Sequence, residues 1–223
     1  MVEPAVLLVT NEYDVGTDLV VRELRRCRVP YLRLNTERLA SRAFVWDGVS
    51  ARVDGIDLSG VRSALLRQPV WPAFDGASAP ERDVLQNQWR AAVRGLSTLN
   101  ARWMNPLDAG LAAESKMLQL STARQVGFEV PDTLVTNDMT AALAFCERHG
   151  GRVAAKGLDA PYIEDPERPR FVFTSVVTSE VLSERPDVDS VPMIFQRLVI
   201  PKTDLRVKVA GKSAFGAVIE PGS

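Results

Sequence analysis

The distribution of apolar positions in the first third of the chain predicts a strand–helix–strand unit. Short and mostly apolar runs, of the length of buried strands, occupy residues 4–10, 31–34 and 61–66. The segment between the first two runs has a helical apolar face that consists of Val20, Leu24 and Cys27. We expect Thr17 or Asp18 to cap this helix. Two strands joined by a helix are the beginning of a parallel sheet.

Signals for further elements continue up to residue 105. Residues 43–54 are typical of a β-hairpin that turns at an Asp-Gly pair. A capping box at residues 78–81 opens a helix that runs to about residue 99. Residues 102–106 are expected to form a short strand that closes the domain. We therefore predict an N-terminal α/β domain over residues 1–105.

The rest of the chain, residues 106–223, is predicted to form a second domain. Its helices are expected at residues 112–126 and 137–149, and its strands at residues 130–136, 152–156 and 170–178. Gly127 suits the left-handed position after the first helix, and Asn137 or Asp138 caps the second. Residues 159–170 are rich in proline and acidic residues, which predicts a loop or a mobile hairpin.

One later strand, residues 204–210, alternates apolar and charged side chains. Leu205, Val207 and Val209 share one face, and the opposite face carries charge. Such a strand either lies at an edge with one solvated side or lines a site with its charges. The pattern alone leaves both interpretations open.

The overall composition excludes several classes of function. The chain has 223 residues and a net charge of −1, so it lacks the basic surplus typical of proteins that bind nucleic acid or anionic membranes. No apolar run has the length of a membrane span, and the first residues lack the basic start of a signal peptide. We expect a cytoplasmic protein with neither nucleic acid nor membrane as its partner.

The chain offers few residues for metal binding by soft ligands or for nucleophilic catalysis. Cys27 and Cys146 lie far apart without a Cys or His at ligand spacing, and we expect both thiols to be buried. His149 is the single histidine and lies at a predicted helix end. These counts exclude a zinc site and leave only His149 for Ser-His or Cys-His catalysis. A metal would have to be a hard cation on oxygen ligands.

The lysines are distributed unevenly. All of them follow the predicted domain boundary, whereas arginine carries the positive charge elsewhere. Lys156 ends an otherwise apolar strand, and a compact ammonium suits phosphate oxygens. Taken singly, each lysine is most simply a surface charge. Together, Lys116, Lys156 and the charged strand that follows indicate a polyphosphate clamp, which is not of the glycine-rich P-loop kind.

The order of motifs along nearly the whole chain resembles the ATP-grasp superfamily. The relevant motifs are Glu114-Ser-Lys116, Gly127-Phe-Glu-Val-Pro131-Asp-Thr, Val153-Ala-Ala-Lys156, Ile194-Phe-Gln-Arg-Leu-Val199 and Asp204-Leu-Arg206-Val. Three further motifs resemble the microviridin-type peptide maturases, which make graspetides. These motifs are Leu8-Val-Thr-Asn-Glu-Tyr-Asp14, Leu34-Asn-Thr-Glu37 and Trp103-Met-Asn-Pro106. The resemblance implies an α/β fold with a pre-ATP-grasp domain, followed by central and partial C-terminal lobes of an ATP-grasp fold.

The resemblance also implies a nucleotide site. Lys116 and Lys156 would hold the phosphates of ATP. Arg206 would be the catalytic residue that steadies the phosphates or an acyl phosphate, and Asp204 would orient its surroundings. The implied adenine pocket consists of Gln196, Arg197, Leu198 and Val199. Many relatives have a glutamate in place of Gln196, and an amide oxygen can still accept from the adenine amino group. By this resemblance, the charged face of residues 204–210 looks into the nucleotide cleft.

The implied reaction is ATP-dependent macrocyclisation of a ribosomally made precursor peptide with a leader and an acidic, Thr-rich core. ATP phosphorylates an Asp or Glu side chain, and a Thr or Ser hydroxyl or a Lys amine then forms an ω-ester or ω-amide. Placement of cations carries most of the catalysis. The segment at residues 159–170 is where such maturases often receive the leader peptide, although a plain flexible loop fits it equally. The oligomeric state is left open, and a homodimer is compatible with the sequence.

The resemblance implies magnesium as well, with its acidic and asparagine ligands in a part of the family that follows the last residue, Ser223. We therefore expect no metal ligands in this chain, weak ATP binding and no ring formation by residues 1–223 alone. Two alternatives remain: a non-catalytic module that binds a leader peptide or a partner, and another ATP-grasp carboxylate–amine ligase, such as one that adds glutamate to a protein terminus.

Overall fold

The chain divides into two compact units, Met1–Glu114 and Ser115–Ser223. The computed structural model describes residues 3–159, 162–163, 170–171, 173–184 and 190–219. In the first unit, the elements in chain order are β1 (Val6–Thr10), α1 (Val15–Arg26), β2 (Tyr31–Asn35), β3 (Phe44–Trp46), β4 (Ala51–Val53), β5 (Ile56–Asp57), β6 (Ser63–Leu66), α2 (Ala79–Gly95), β7 (Arg102–Met104) and α3 (Leu107–Glu114). Short 3-10 helices occupy Thr36–Ser41 and Leu96–Thr98.

The first unit is built on a parallel sheet with the strand order β2-β1-β6-β7. The mostly apolar strand β1 lies inside this sheet, and Leu7 and Val9 are completely buried. Their core extends through Leu34 of β2, Ala64 of β6 and Val93 of α2. Strands β3, β4 and β5 form a separate antiparallel sheet. The predicted α/β fold of this region is confirmed, including the hairpin between β3 and β4.

Two expectations about α1 are wrong. The helix is capped by Asp14 rather than by Thr17 or Asp18, because the Asp14 carboxylate accepts from the backbone N–H groups of Gly16 and Thr17. Thr17 is instead buried in the first turn. Cys27 is exposed because it follows the last turn of α1 as its C-cap, whereas Cys146 is buried as expected.

The helix expected over residues 112–126 is two helices. α3 ends at Glu114 and α4 begins at Lys116, because the Ser115 side chain accepts from the Leu118 N–H as an N-cap. α3 lies within the first unit, where Leu107 is buried, so this unit extends beyond residue 105. Gly127 follows α4 with a φ of +90°, the left-handed conformation that favours glycine.

The described part of the second unit contains α4, further helices and several short strands. In chain order its elements are α4 (Lys116–Gln125), β8 (Thr133–Thr136), α5 (Met139–Arg148), β9 (Arg152–Gly157), β10 (Tyr162–Ile163), β11 (Arg170–Phe171), β12 (Ser175–Thr178), α6 (Ser179–Ser183), β13 (Met193–Arg197), β14 (Asp204–Ala210) and β15 (Ser213–Ile219). Asp138 caps α5, as one of the two expected candidates. The strand expected over residues 170–178 is divided between β11 and β12.

An antiparallel sheet with the order β12-β9-β13-β8 organises the second unit. One of its faces packs on α5 and α6, through a core that contains Phe145, Cys146, Val153, Leu182 and Phe195. Residues two positions apart on a strand share a face. Lys156 on β9 and Gln196 on β13 are adjacent in sequence to core residues of these strands. Their side chains therefore lie on the opposite face of the sheet.

Two hairpins complete the described part of the second unit. β10 pairs antiparallel with β11, and the connection between them, part of the segment expected to receive a leader peptide, lies outside the described residues. β14 pairs antiparallel with β15, and every residue of both strands is exposed. In the part of the chain that the structure describes, no helix combines the length and the apolar character that crossing a bilayer requires.

Candidate nucleotide site

Lys156 lies partly buried on one face of the second sheet, where its side chain belongs to a hydrogen-bonded network. Its Nζ donates to Gln196 Oε1 at 3.3 Å, and Gln196 Nε2 donates to Thr133 Oγ1 at 2.8 Å. The Thr133 hydroxyl in turn donates to the carbonyl oxygen of Pro131 at 2.8 Å. The network crosses β9, β13 and β8, so it fixes the position of the Lys156 ammonium, and among the described residues the partner of this ammonium is a neutral amide.

Lys116 approaches the same place from the first residue of α4. Its Nζ donates to the carbonyl oxygen of Leu158 at 2.7 Å, just after the end of β9. The side chain is thereby fixed by an acceptor that carries no formal charge. Two lysines that are distant in sequence are thus brought to the end of a single strand.

The environment lowers the pKa of Lys156. Burial is the larger cause, since it disfavours the charged ammonium, and the positive charge of Lys116 adds to it. An anion bound between the two lysines would offset their repulsion and so favour the charged form of Lys156. The described network gives Lys156 no carboxylate partner, which is the arrangement expected of a site that receives an anionic ligand.

A cavity of about 580 Å³ opens beside both ammonium groups. Gly157, Leu158 and Asp159 continue its wall from the end of β9, and Phe173, Thr174 and the residues Val191, Pro192 and Met193 close it. Cavities of a few hundred cubic ångströms with apolar walls and a few polar groups are typical of small-molecule sites. The arrangement is suited to a ligand with a phosphate end and an apolar or aromatic body.

The residues predicted to form the adenine pocket lie at the end of β13 and in the loop that follows it. Arg197 ends β13 and is exposed, and its backbone N–H donates to the carbonyl of Asp132 at 2.9 Å. Leu198 and Val199 follow it as a loop. Gln196 contacts Lys156, whereas a role of Arg197, Leu198 and Val199 in binding adenine stays a prediction.

Asp204 and Arg206 lie on the exposed strand β14 of the second hairpin. Asp204 pairs with Lys202, whose Nζ lies 2.9 Å from Oδ2, and Arg206 is opposite Ala217. Both side chains are exposed, as is every other residue of β14, so both faces of this strand are solvated. Convergence of Arg206 on the two lysines is neither observed nor excluded by these contacts and stays a prediction.

Sequence reasoning missed Thr133 and the Leu158 carbonyl. Thr133 belongs to a motif that carries the family resemblance, yet its hydroxyl role appears only when β8 and β13 pair. A backbone carbonyl has no signature in the sequence. Among the described residues, no group of three or more His, Cys, Asp or Glu side chains is arranged to hold a metal ion.

Comparison with solved structures finds the fold of this chain in peptide ligases. No protein-family model matches the chain, and no curated protein matches it at a significant level. Among solved structures, the macrocyclase MdnC of Microcystis aeruginosa MRC, bound with its precursor peptide MdnA, is 27% identical with a TM-score of 0.88, over 97% of this chain and 75% of that one.

Two further solved structures share the fold of this chain. The macrocyclase MdnB of Microcystis aeruginosa MRC is 28% identical with a TM-score of 0.78, over 98% of this chain and 76% of that one. The ATP-grasp ligase PsnB, complexed with minimal precursor, Mg and ADP, shares the fold at 18% identity and a TM-score of 0.77, over 100% of this chain and 77% of that one. The chain therefore has an ATP-grasp fold, which it shares with PsnB, and it is similar in sequence to the macrocyclases MdnC and MdnB.

Proposed function

We propose that this protein uses ATP to join side chains within a ribosomally made precursor peptide. The observation that carries the proposal is the pair Lys116 and Lys156 on one cavity, in a fold shared with the macrocyclases MdnC and MdnB. Two ammonium groups near each other are stabilised by a polyanion, and the phosphates of ATP are the polyanion that the ligases of this fold use. PsnB was solved with ADP and MdnC with a precursor peptide, which supports both partners.

The proposed reaction has two steps. A carboxylate oxygen of an Asp or Glu side chain attacks the terminal phosphorus of ATP, and ADP leaves. The hydroxyl of Thr or Ser, or the amine of Lys, then attacks the carbonyl carbon of the acyl phosphate. Inorganic phosphate leaves with one oxygen of the original carboxylate, and an ω-ester or ω-amide ring remains. The peptide loses one water for each ring.

Lys116 and Lys156 contribute by holding the phosphates. Held in place by their hydrogen bonds to the Leu158 carbonyl and to Gln196, the two ammonium groups face the phosphate oxygens while charge moves from the terminal phosphate to ADP. Gln196 fixes Lys156 without neutralising it, because an amide accepts a hydrogen bond but carries no charge. Arg206 is proposed to steady the acyl phosphate, which agrees with its position in a motif that resembles the family.

Magnesium belongs to the proposal as the counter-ion of ATP, and PsnB was solved with Mg. Mg²⁺ in nucleotide sites is commonly held by one or two carboxylates and by the phosphates themselves. In the part of the chain that the structure describes, no group of three or more His, Cys, Asp or Glu side chains could hold a metal ion. We therefore assign no protein ligand to Mg²⁺. No step of the proposal depends on such a ligand.

The proposal is tested by mass spectrometry of the precursor peptide after incubation with the full-length protein, ATP and Mg²⁺. We expect one loss of water for each ring and no loss without ATP. Lys156→Met keeps the aliphatic volume but removes the charge, and it should slow ring formation roughly a hundredfold, the usual effect of deleting one group that stabilises a transition state.

Lys212→Ala provides the matched control, because Lys212 lies in the exposed turn between β14 and β15 and does not line the cavity. It should cyclise the peptide at the rate of the unchanged protein. If the Lys156→Met and Lys212→Ala variants form rings at equal rates, the Lys156 ammonium does not bind the reacting phosphates and the proposal is wrong.

A further inference from the structure

The first unit contains a cavity of about 430 Å³ that the proposed nucleotide site does not use. Its walls are the chain segments after β6 and β7 together with one side of α2 and of α3. We call it the Trp71 cavity. Ligands of open α/β sheets bind outside the carboxyl ends of the strands, and the Trp71 cavity occupies such an end.

The strand order supports a binding role for this edge of the sheet. From β1 the chain proceeds to β2 on one side, whereas β6 and β7 lie on the other, so the direction of winding changes between β1 and β6. Asn11 follows β1 and donates through Nδ2 to the carbonyl oxygen of Gln68 at 2.6 Å. This bond joins the ends of the two strands at the change of direction.

Gln68 has an uncommon backbone conformation at this point. Its φ of +46° lies in the left-handed region, which is unfavourable for a residue with a side chain. The hydrogen bond from Asn11 holds the conformation, and the Gln68 side chain lines the Trp71 cavity. Conformations of this kind persist where the surroundings fix them, and they are frequent at binding sites.

Arg90 on α2 is preorganised in the wall of the cavity. Its guanidinium lies 5.5 Å from the centre of the Trp71 ring. Nη1 donates to Asn87 Oδ1 at 2.8 Å and Nη2 donates to Gln86 Oε1 at 3.1 Å. Both acceptors are neutral amides, so the positive charge is fixed in position but not compensated by these bonds.

The cavity has an excess of positive charge. Arg94, one helical turn after Arg90, also lines it, while Glu114 is its single acidic residue. Within the described parts of the chain, neither arginine lies within 4.0 Å of a carboxylate oxygen. Buried Val93 and Leu107 contribute apolar surface beneath these charges.

We propose that the Trp71 cavity binds the carboxylate of an acidic side chain of the peptide substrate. Two guanidinium groups match a carboxylate in charge and can form paired hydrogen bonds with it. The apolar floor suits the methylene groups of Glu or an adjacent apolar residue. The proposal rests on the proposed function in one respect only, since it takes the acidic peptide of that reaction as the source of the side chain.

Binding of a single capped residue tests the proposal without ATP and without ring formation. We would titrate N-acetyl-glutamate N-methylamide into the labelled protein and follow the indole N–H signal of Trp71 by NMR, assigned with Trp71→Phe. We expect a saturable shift of this signal. The uncharged analogue N-acetyl-glutamine N-methylamide should bind at least about tenfold more weakly, since it cannot form charge-assisted bonds.

Arg94→Gln should reduce affinity for the capped glutamate roughly tenfold, and it leaves the fold intact because Arg94 is exposed. Arg22→Gln is the control, because Arg22 is an exposed arginine of α1 outside the cavity, and it should bind as the unchanged protein does. Equal affinity for the two analogues, no shift of the Trp71 signal, or normal affinity of Arg94→Gln would each overturn the proposal. Ring formation measured separately would show that the proposed function stands independently of that outcome.

Discussion

At the scale of single residues, the lysine pair and the buried carboxylate Asp14 show how local environment sets charge. Lys116 and Lys156 are held near each other by neutral acceptors, and burial together with the charge of Lys116 lowers the pKa of Lys156. Their proposed shared role in phosphate binding was predicted from the order of motifs that resembles the family. Thr133 did not, because a hydroxyl at the start of a strand carries no periodic signal.

Asp14 supports the first unit through a charge that is almost completely shielded from solvent. Burial alone would raise the pKa of Asp14, but hydrogen bonds from Thr17, Thr10 and Arg67 lower it well below its ordinary value of 3.8. Because folding lowers this pKa, the ionised carboxylate stabilises the fold above pH 3.8. That contribution is lost as the pH falls from there towards the folded pKa.

We expect Asp14→Ala to lower the free energy of unfolding of the first unit by about 3 kcal/mol at neutral pH, since it leaves Arg67 and two hydroxyls without their acceptor. The difference from the unchanged protein should shrink below about pH 4, where the unchanged protein loses the same contribution. Urea unfolding followed by tryptophan fluorescence measures this unit selectively, because all tryptophans lie in it. Asp83→Ala, on the exposed side of α2, should change the free energy by less than about 0.5 kcal/mol. An undiminished difference at low pH would contradict this account of Asp14.

At the scale of helices and strands, the sequence predicted the ends of a helix well where a single capping residue or motif determines that end. The capping box before α2 and Gly127 after α4 were both recognised. The interruption at Ser115 was not, because the apolar pattern of α3 and α4 is weak and a serine within a helical pattern is not by itself a break. The cap of α1 was placed too late, since Thr17 resembles a cap but is a buried donor to Asp14.

The beginning of α2 provides a test at this scale. Ser78 donates through its backbone N–H and its hydroxyl to Glu81 Oε2, at 2.9 and 2.6 Å. We expect Ser78→Ala to lower the free energy of unfolding of the first unit by about 1 kcal/mol, the usual contribution of an N-cap. Tryptophan fluorescence reports this change, because Trp89 lies in α2. Ser97→Ala, an exposed serine after the same helix, should have little effect. Equal effects of the two substitutions would show that the capping box does not stabilise α2.

At the scale of the whole chain, the order of motifs was more informative than any single motif. The order of the lysines, the glutamine on β13 and the charged strand β14 resembles that of ATP-grasp ligases, and the chain shares its fold with MdnC over 97% of its length. The adenine pocket and the position of Arg206 could not be predicted to the same degree. Both depend on the placement of loops and of an exposed hairpin, which apolar periodicity does not determine.

The central claim is that ATP activates a carboxyl side chain of the peptide, and an isotope measurement tests it most directly. The Asp and Glu carboxylates of the precursor are labelled with heavy oxygen, and the phosphate released during incubation with the protein, ATP and Mg²⁺ is analysed by mass spectrometry. An acyl phosphate transfers one carboxylate oxygen to phosphate, so the account predicts one heavy oxygen in the phosphate for each ring formed. Rings that form while the phosphate stays unlabelled would contradict the claim.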